Sequence, residues 1–275
     1  IYSKNCREWI ISDLAIVMAG YVSVPFFPSL NGKELSYIMD YGDVDALFVG
    51  KIETWDEIKN DLSDEMPIIR FPKYDGCSDV TKGYEWHEFI NNHDPIPNPH
   101  TPKLSDLWTI IFTSGTTGNP KGVMLTYQAI DGIKVVLDDP NNPLGIKHTG
   151  NNDFISYLPL NHIFERVVIE WCSFRYGGTI SFVESIEKFG QNLKSVQPHV
   201  FAAAPRVWTK LQMGILSKFP QKRLDTLLKI PILSSILKKL IRKGLGFSKV
   251  RVTVSGSAPM PVELIEWFRK VGVYI

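Results

Sequence analysis

The chain has 275 residues, 44% of them hydrophobic and 21% charged, with 30 Lys and Arg against 29 Asp and Glu. This composition suits one or two globular domains with a sizeable core, and it excludes a collagen-like, disulfide-scaffold or disordered chain. The formal net charge of +1 selects no charged partner, and three widely spaced cysteines without a CxxC or Cys/His cluster suggest no metal and point to a reducing, cytoplasmic compartment.

Helices and strands alternate along the chain. Apolar spacing predicts a helix from Cys6 to Ala19, a short strand over Val22–Phe26 ended by Pro28, and a helix from Lys33 to Tyr41. A buried strand over Asp45–Gly50, a helix near Thr54–Leu62 and a strand at Pro67–Phe71 repeat the scheme. Residues 93–103, HDPIPNPHTPK, hold four prolines, which fix φ and remove backbone donors. They read as an extended connector between a first sub-lobe, residues 1–100, and a second, residues 101–275; a surface loop within one domain is the alternative. Beyond it, strands are expected near 108–113, 121–125, 153–158, 178–183, 199–203 and 249–255. Helices are expected near 127–137, 162–174, 185–196, 205–218, 221–243 and 261–270. This pattern predicts an α/β fold of mostly parallel sheets flanked by helices. No apolar run reaches the ~20 residues that a membrane-spanning helix needs. The chain starts at Ile1 without an initiator Met, and Val271–Ile275 reads as a strand that stops without a turn, so a piece of a longer protein is expected.

The strongest local signal runs from Trp108 to Val123, where an apolar strand enters the stretch TSGTTGNPKG. Glycines allow close backbone approach and positive φ, successive N–H groups form an anion-binding concavity, and Ser and Thr hydroxyls add donors. Lys121 adds a compact positive charge. The spacing is not that of a Walker loop: Gly115 and Gly118 are three apart, and Gly122, not Ser or Thr, follows Lys121. A polyphosphate is the expected ligand, a flexible surface loop the alternative.

Charge is unevenly spread. Residues 218–251 hold ten Lys and Arg and one acid, Asp225, a local charge of +9 that leaves −8 on the remainder. Leu233, Ile236, Leu237, Leu240 and Ile241 follow helical spacing there, with Lys238, Lys239, Arg242 and Lys243 among them. Such a basic amphipathic helix reads as peripheral contact with an anionic membrane, or as a solvated helix whose apolar stripe packs on its own domain. No aromatic platform accompanies the charge, so nucleic acid is not expected.

The run TSGTTGNPKGV resembles the phosphate-binding signature of the adenylate-forming superfamily, with Phe112 where many members have Tyr. Residues 153–166, DFISYLPLNHIFER, and 198–210, PHVFAAAPRVWTK, are similar to runs of its long-chain fatty-acid–CoA ligases, and Val254–Pro259 matches the segment lying along the adenine. The resemblance implies ATP-dependent conversion of a long-chain fatty acid to acyl-AMP and then, with coenzyme A as co-substrate, to acyl-CoA. It places the β- and γ-phosphates at Thr113, Ser114, Gly115, Thr116, Thr117, Gly118 and Lys121. It also brings Thr113 near Mg2+, His162 near the carboxylate and α-phosphate, and the adenine along Gly256, Ser257, Ala258 and Pro259. Glu165 and Arg166 are expected to pair with neighbouring elements, and Arg206 and Trp208 to be structural or tunnel-lining. The family's next motif and its small carboxy-terminal domain, which carries the catalytic lysine, would follow Ile275. Two alternatives stay open: an acyl-AMP ligase delivering to a carrier protein, and a non-catalytic nucleotide- or lipid-binding module.

Overall fold

The computed structural model describes residues 1–113, 120–139, 146 and 150–275. It divides into two units: residues 1–135 with 159–163, and residues 136–158 with 164–275. The proline-rich stretch 93–103 lies inside the first.

In the first unit, four short strands, β1 (Tyr2–Ser3), β2 (Leu47–Gly50), β3 (Ile68–Arg70) and β4 (Tyr84–Glu85), form a parallel sheet in that order. The helices are α1 (Arg7–Met18), α2 (Gly32–Tyr41), α3 (Trp55–Ile58) and α4 (Trp86–Asn91). A reciprocal cap starts α2: the Glu34 N–H donates to Asn31 Oδ1 at 3.0 Å and the Asn31 N–H to Glu34 Oε2 at 3.1 Å. A separate antiparallel pair, β5 (Leu107–Thr113) and β6 (Lys121–Thr126), leads into α5 (Tyr127–Leu137). Tyr2, Phe26, Leu35, Leu47, Trp55 and Phe112 share one buried cluster.

Two expectations fail in this unit. Residues 22–26 are not a strand; they make only isolated bridges, Tyr2 to Phe26 and Ser23 to Thr109, because Pro25 has no N–H to extend a ladder. The helix expected over 54–62 shortens to α3.

The second unit holds a parallel sheet in the order β10-β9-β7-β8, from β7 (Asn152–Ser156), β8 (Gly178–Phe182), β9 (Val200–Ala203) and β10 (Val252–Ser255). The helix expected over 162–174 is composite: α6 (Ile163–Glu165), a π-helical segment (Arg166–Trp171) and α7 (Cys172–Tyr176). Two further helices fall within the expected spans, α8 (Phe189–Val196) and α9 (Pro205–Leu216), whereas α10 (Gln221–Leu228) and α11 (Pro231–Leu245) replace the single helix expected over 221–243. Pro231 causes that break, since a proline fits the first turn of a helix and not its interior. The chain closes with α12 (Val262–Lys270). Residues 271–275 are not a strand; Val271 and Val273 instead bury their side chains in the core. Trp208 lies at the centre of that core, edge-on to Phe201 at 5.2 Å and to Phe268 at 5.1 Å.

Candidate functional site

The β5–β6 pair presents the ends of the hydroxyl- and glycine-rich run. β5 buries Trp108, Thr109, Ile111 and Phe112 and exposes its last residue, Thr113. It is tied down from one side: the Thr109 hydroxyl donates to the Ser23 carbonyl at 2.7 Å, and the Ser23 hydroxyl donates to the Asp13 carboxylate. After a register shift between Leu107 and Thr109, the ladder runs regularly to its last pair, Thr113 opposite Lys121, and the Thr113 hydroxyl points at the Lys121 carbonyl at 3.5 Å. Both residues are exposed. Gly122 stands opposite Phe112, and a Cβ there would lie 2.9 Å from Ile110 Cγ2, so the close approach of the strands depends on that glycine. Phe112 is packed without a phenolic oxygen, edge-on to Tyr41 at 6.2 Å. Ser114, Gly115, Thr116, Thr117 and Gly118 lie outside the described residues.

His162 sits in the same unit, on a turn closed by its own N–H to the Pro159 carbonyl at 2.9 Å. A buried anchor fixes the turn: the Leu160 N–H donates to Asn5 Oδ1 at 3.0 Å, and Lys51 Nζ donates to the Asn5 carbonyl at 2.8 Å. Leu160 is buried and the imidazole two residues on is exposed. Asn5 was not legible as a site residue, because its partner is 155 positions away in sequence.

In the second unit Glu165 pairs with a neighbouring element, as expected, whereas Arg166 meets Glu170 within its own helical segment. Glu165 Oε1 accepts from the Ser156 hydroxyl at 2.8 Å and the Tyr157 N–H at 2.9 Å, while Arg166 Nε meets Glu170 Oε2 at 3.2 Å. Burial pushes the Glu165 carboxyl up to about 8, against the opposing pull of the Ser156 hydroxyl and the Tyr157 and Leu158 amides. Burial also pushes the Cys6 thiol, in the first unit, up to about 11 and the Cys172 thiol up to about 12, so neither is a ready nucleophile at neutral pH.

Beyond β10, Gly256 donates its N–H to the Ala203 carbonyl at 3.4 Å. A Cβ on Gly256 would fall 2.3 Å from the Phe164 ring, so this ring rests directly on the glycine backbone. Ser257 has φ +68°, the left-handed region, and Ser257, Ala258 and Pro259 are exposed. The segment thus offers small side chains and open backbone beside an aromatic edge. Phe164 is the contributor that periodicity missed, since its place in an apolar helical run reads as ordinary packing.

The structure thus brings Thr113 and Lys121 together, places His162 on a separate anchored turn of that unit, and places residues 256–259 in the other.

The family model described as AMP-binding enzyme matches residues 1–274. Long chain acyl-CoA synthetase 1 of Arabidopsis thaliana is 27% identical over 98% of this chain and 45% of its own length. Long-chain-fatty-acid–CoA ligase 5 of Rattus norvegicus is 29% identical over 98% of this chain and 43% of its own. The chain therefore spans less than half the length of these curated relatives. Among solved structures, the anthranilate CoA ligase AuaEII in complex with anthranoyl-AMP superposes with a TM-score of 0.72, at 18% identity, over 99% of this chain and 48% of its own. With a matching model over all but its last residue and the fold of a CoA ligase, the chain belongs to the AMP-binding enzyme family.

Proposed function

We propose that the whole protein is an AMP-forming ligase that activates a long-chain fatty acid, first to acyl-AMP and then to the coenzyme A thioester. The observation that carries this reading is the exposed Thr113–Lys121 pair ending the β5–β6 ladder, on either side of the hydroxyl- and glycine-rich run. In the first step a carboxylate oxygen of the fatty acid attacks the α-phosphorus of ATP and the bond to pyrophosphate breaks. In the second, the thiol sulfur of coenzyme A attacks the acyl carbon, loses its proton, and AMP departs with the electrons of the acyl–oxygen bond.

The first step joins two anions, so neutralising charge and aligning the reactants carry most of the catalysis. On this reading Lys121, with the hydroxyls and amides of Thr113, Ser114, Gly115, Thr116, Thr117 and Gly118, grips the β- and γ-phosphates. Magnesium arrives with the triphosphate as part of the substrate, and the exposed Thr113 hydroxyl is an oxygen donor suited to that hard cation. Among the described residues, no group of three His, Cys, Asp or Glu could hold an ion of its own. His162 binds the reacting carboxylate and α-phosphate, and Gly256, Ser257, Ala258 and Pro259 receive the adenine. The long acyl chain is supported by the names of the relatives and by the run from Ser156 to Arg166.

Pyrophosphate exchange by the whole protein tests this reading, with palmitate and acetate as rival acids. Exchange that depends on palmitate, and falls about a hundredfold in His162→Ala with an unchanged melting temperature, is the expected result. Fatty-acid binding without any exchange, or equal use of acetate, contradicts it; equal losses of activity and stability in His162→Ala would make that residue structural.

A further inference from the structure

The helix α11 is apolar on two sides. One stripe, Leu237, Ile241 and Leu245, is buried in the core of its own unit. Beside that stripe and running round the helix from it, Ile232, Leu233, Ile236 and Leu240 are 75%, 41%, 50% and 56% exposed. At 100° per residue, 232, 236 and 240 form one row along the helix, and Lys239 and Lys243, both exposed, fall in or beside it. The other two basic residues of this helix are differently used. Arg242 donates to the carbonyls of Gly272, Phe247 and Val250, at 3.2, 2.9 and 2.8 Å, and the Lys238 stem lies along Gly272. The packing of an apolar stripe on its own domain, one of the two sequence alternatives, is present in Leu237, Ile241 and Leu245.

A patch of four exposed aliphatic side chains in water is unfavourable, and the surrounding charge says what would cover it. Residues 218–251 carry ten Lys and Arg against Asp225 alone. A second copy of the same face would bring two strongly positive surfaces together, which like-charge repulsion opposes. We propose that this face of α11 docks on an anionic phospholipid bilayer, with Ile232, Leu233, Ile236 and Leu240 entering the headgroup boundary and Lys239 and Lys243 meeting lipid phosphates and carboxylates. Among the described residues no helix is long and apolar enough to cross a membrane, so the contact is one of surface docking. It stands apart from the nucleotide reading and does not need it.

Co-sedimentation of the chain with lipid vesicles tests the proposal. Vesicles containing one-third phosphatidylserine should bind the chain and pure phosphatidylcholine vesicles should not, with binding falling as salt rises. The variant Ile232→Ser/Ile236→Ser/Leu240→Ser removes only exposed side chains and should lose binding at least tenfold with its melting temperature kept. Lys239→Gln/Lys243→Gln should weaken partitioning about fivefold per lysine and flatten the salt dependence. Equal sedimentation with both vesicles, or wild-type binding by the triple variant, overturns it. So does a concentration-dependent dimer, seen by sedimentation velocity, that the triple variant abolishes without any vesicle binding.

Discussion

Glu165 carries the clearest pH consequence in the molecule. Its carboxyl is fully buried, Oε1 takes two hydrogen bonds, and Oε2 has no partner among the described residues. The neighbouring Arg166 meets Glu170, not Glu165, at 3.2 Å. Its carboxyl lies near 8 when folded against an ordinary 4.5, so the folded chain holds a proton that the unfolded chain has released. Stability should accordingly fall as pH rises from about 4.5 to about 8, by a few kcal/mol in order of magnitude, and level off above. Glu165→Gln, which keeps the acceptor for Ser156, should remove that slope; urea midpoints across the window measure it. A variant with the wild-type slope would assign the dependence to other groups. Single residues of this kind are half legible: that Glu165 pairs with a neighbouring element was expected, whereas the Asn5 anchor of the His162 turn arises only when distant segments meet.

Elements were legible where the pattern was long enough to have a period. The helices α1, α2, α9 and α12 and the strands β5 to β9 fall where apolar spacing put them, within a few residues. The two-residue strands β1 and β4 are too short to show any period, and the C-terminal apolar residues are buried by packing without a ladder. The sum of charge on α11 is legible in the sequence, but the use of each charge is not: Arg242 closes the end of its helix on three carbonyls that come from other segments. Arg242→Met keeps the apolar stem and removes these donors, leaving part-buried acceptors unpaired; a loss of about 2–3 kcal/mol is expected in chemical denaturation. Lys218→Gln, at an exposed position of the same basic stretch, should stay within about 0.5 kcal/mol. Equal effects of the two would show that the carbonyl contacts contribute nothing.

At the scale of the whole molecule, a family of catalysts is read from a chain that spans under half of its relatives' length. The fold class was accessible because alternation of helix and strand, with buried apolar strands, leaves few architectures besides parallel sheets covered by helices. The candidate site was accessible by motif and not by periodicity: only the flanks of the phosphate run, β5 and β6, have a pattern, and the run itself is recognised by composition and order. Function therefore turns on whether the Thr113–Lys121 pair meets a triphosphate. Calorimetric titration of the chain, and of its Thr113→Val and Lys121→Ala variants, with a non-hydrolysable ATP analogue and magnesium addresses that directly. One nucleotide per chain is expected, with an affinity about tenfold to a hundredfold lower in Lys121→Ala and a smaller loss in Thr113→Val. Unchanged affinity in both variants, or no binding by the wild-type chain, would contradict it.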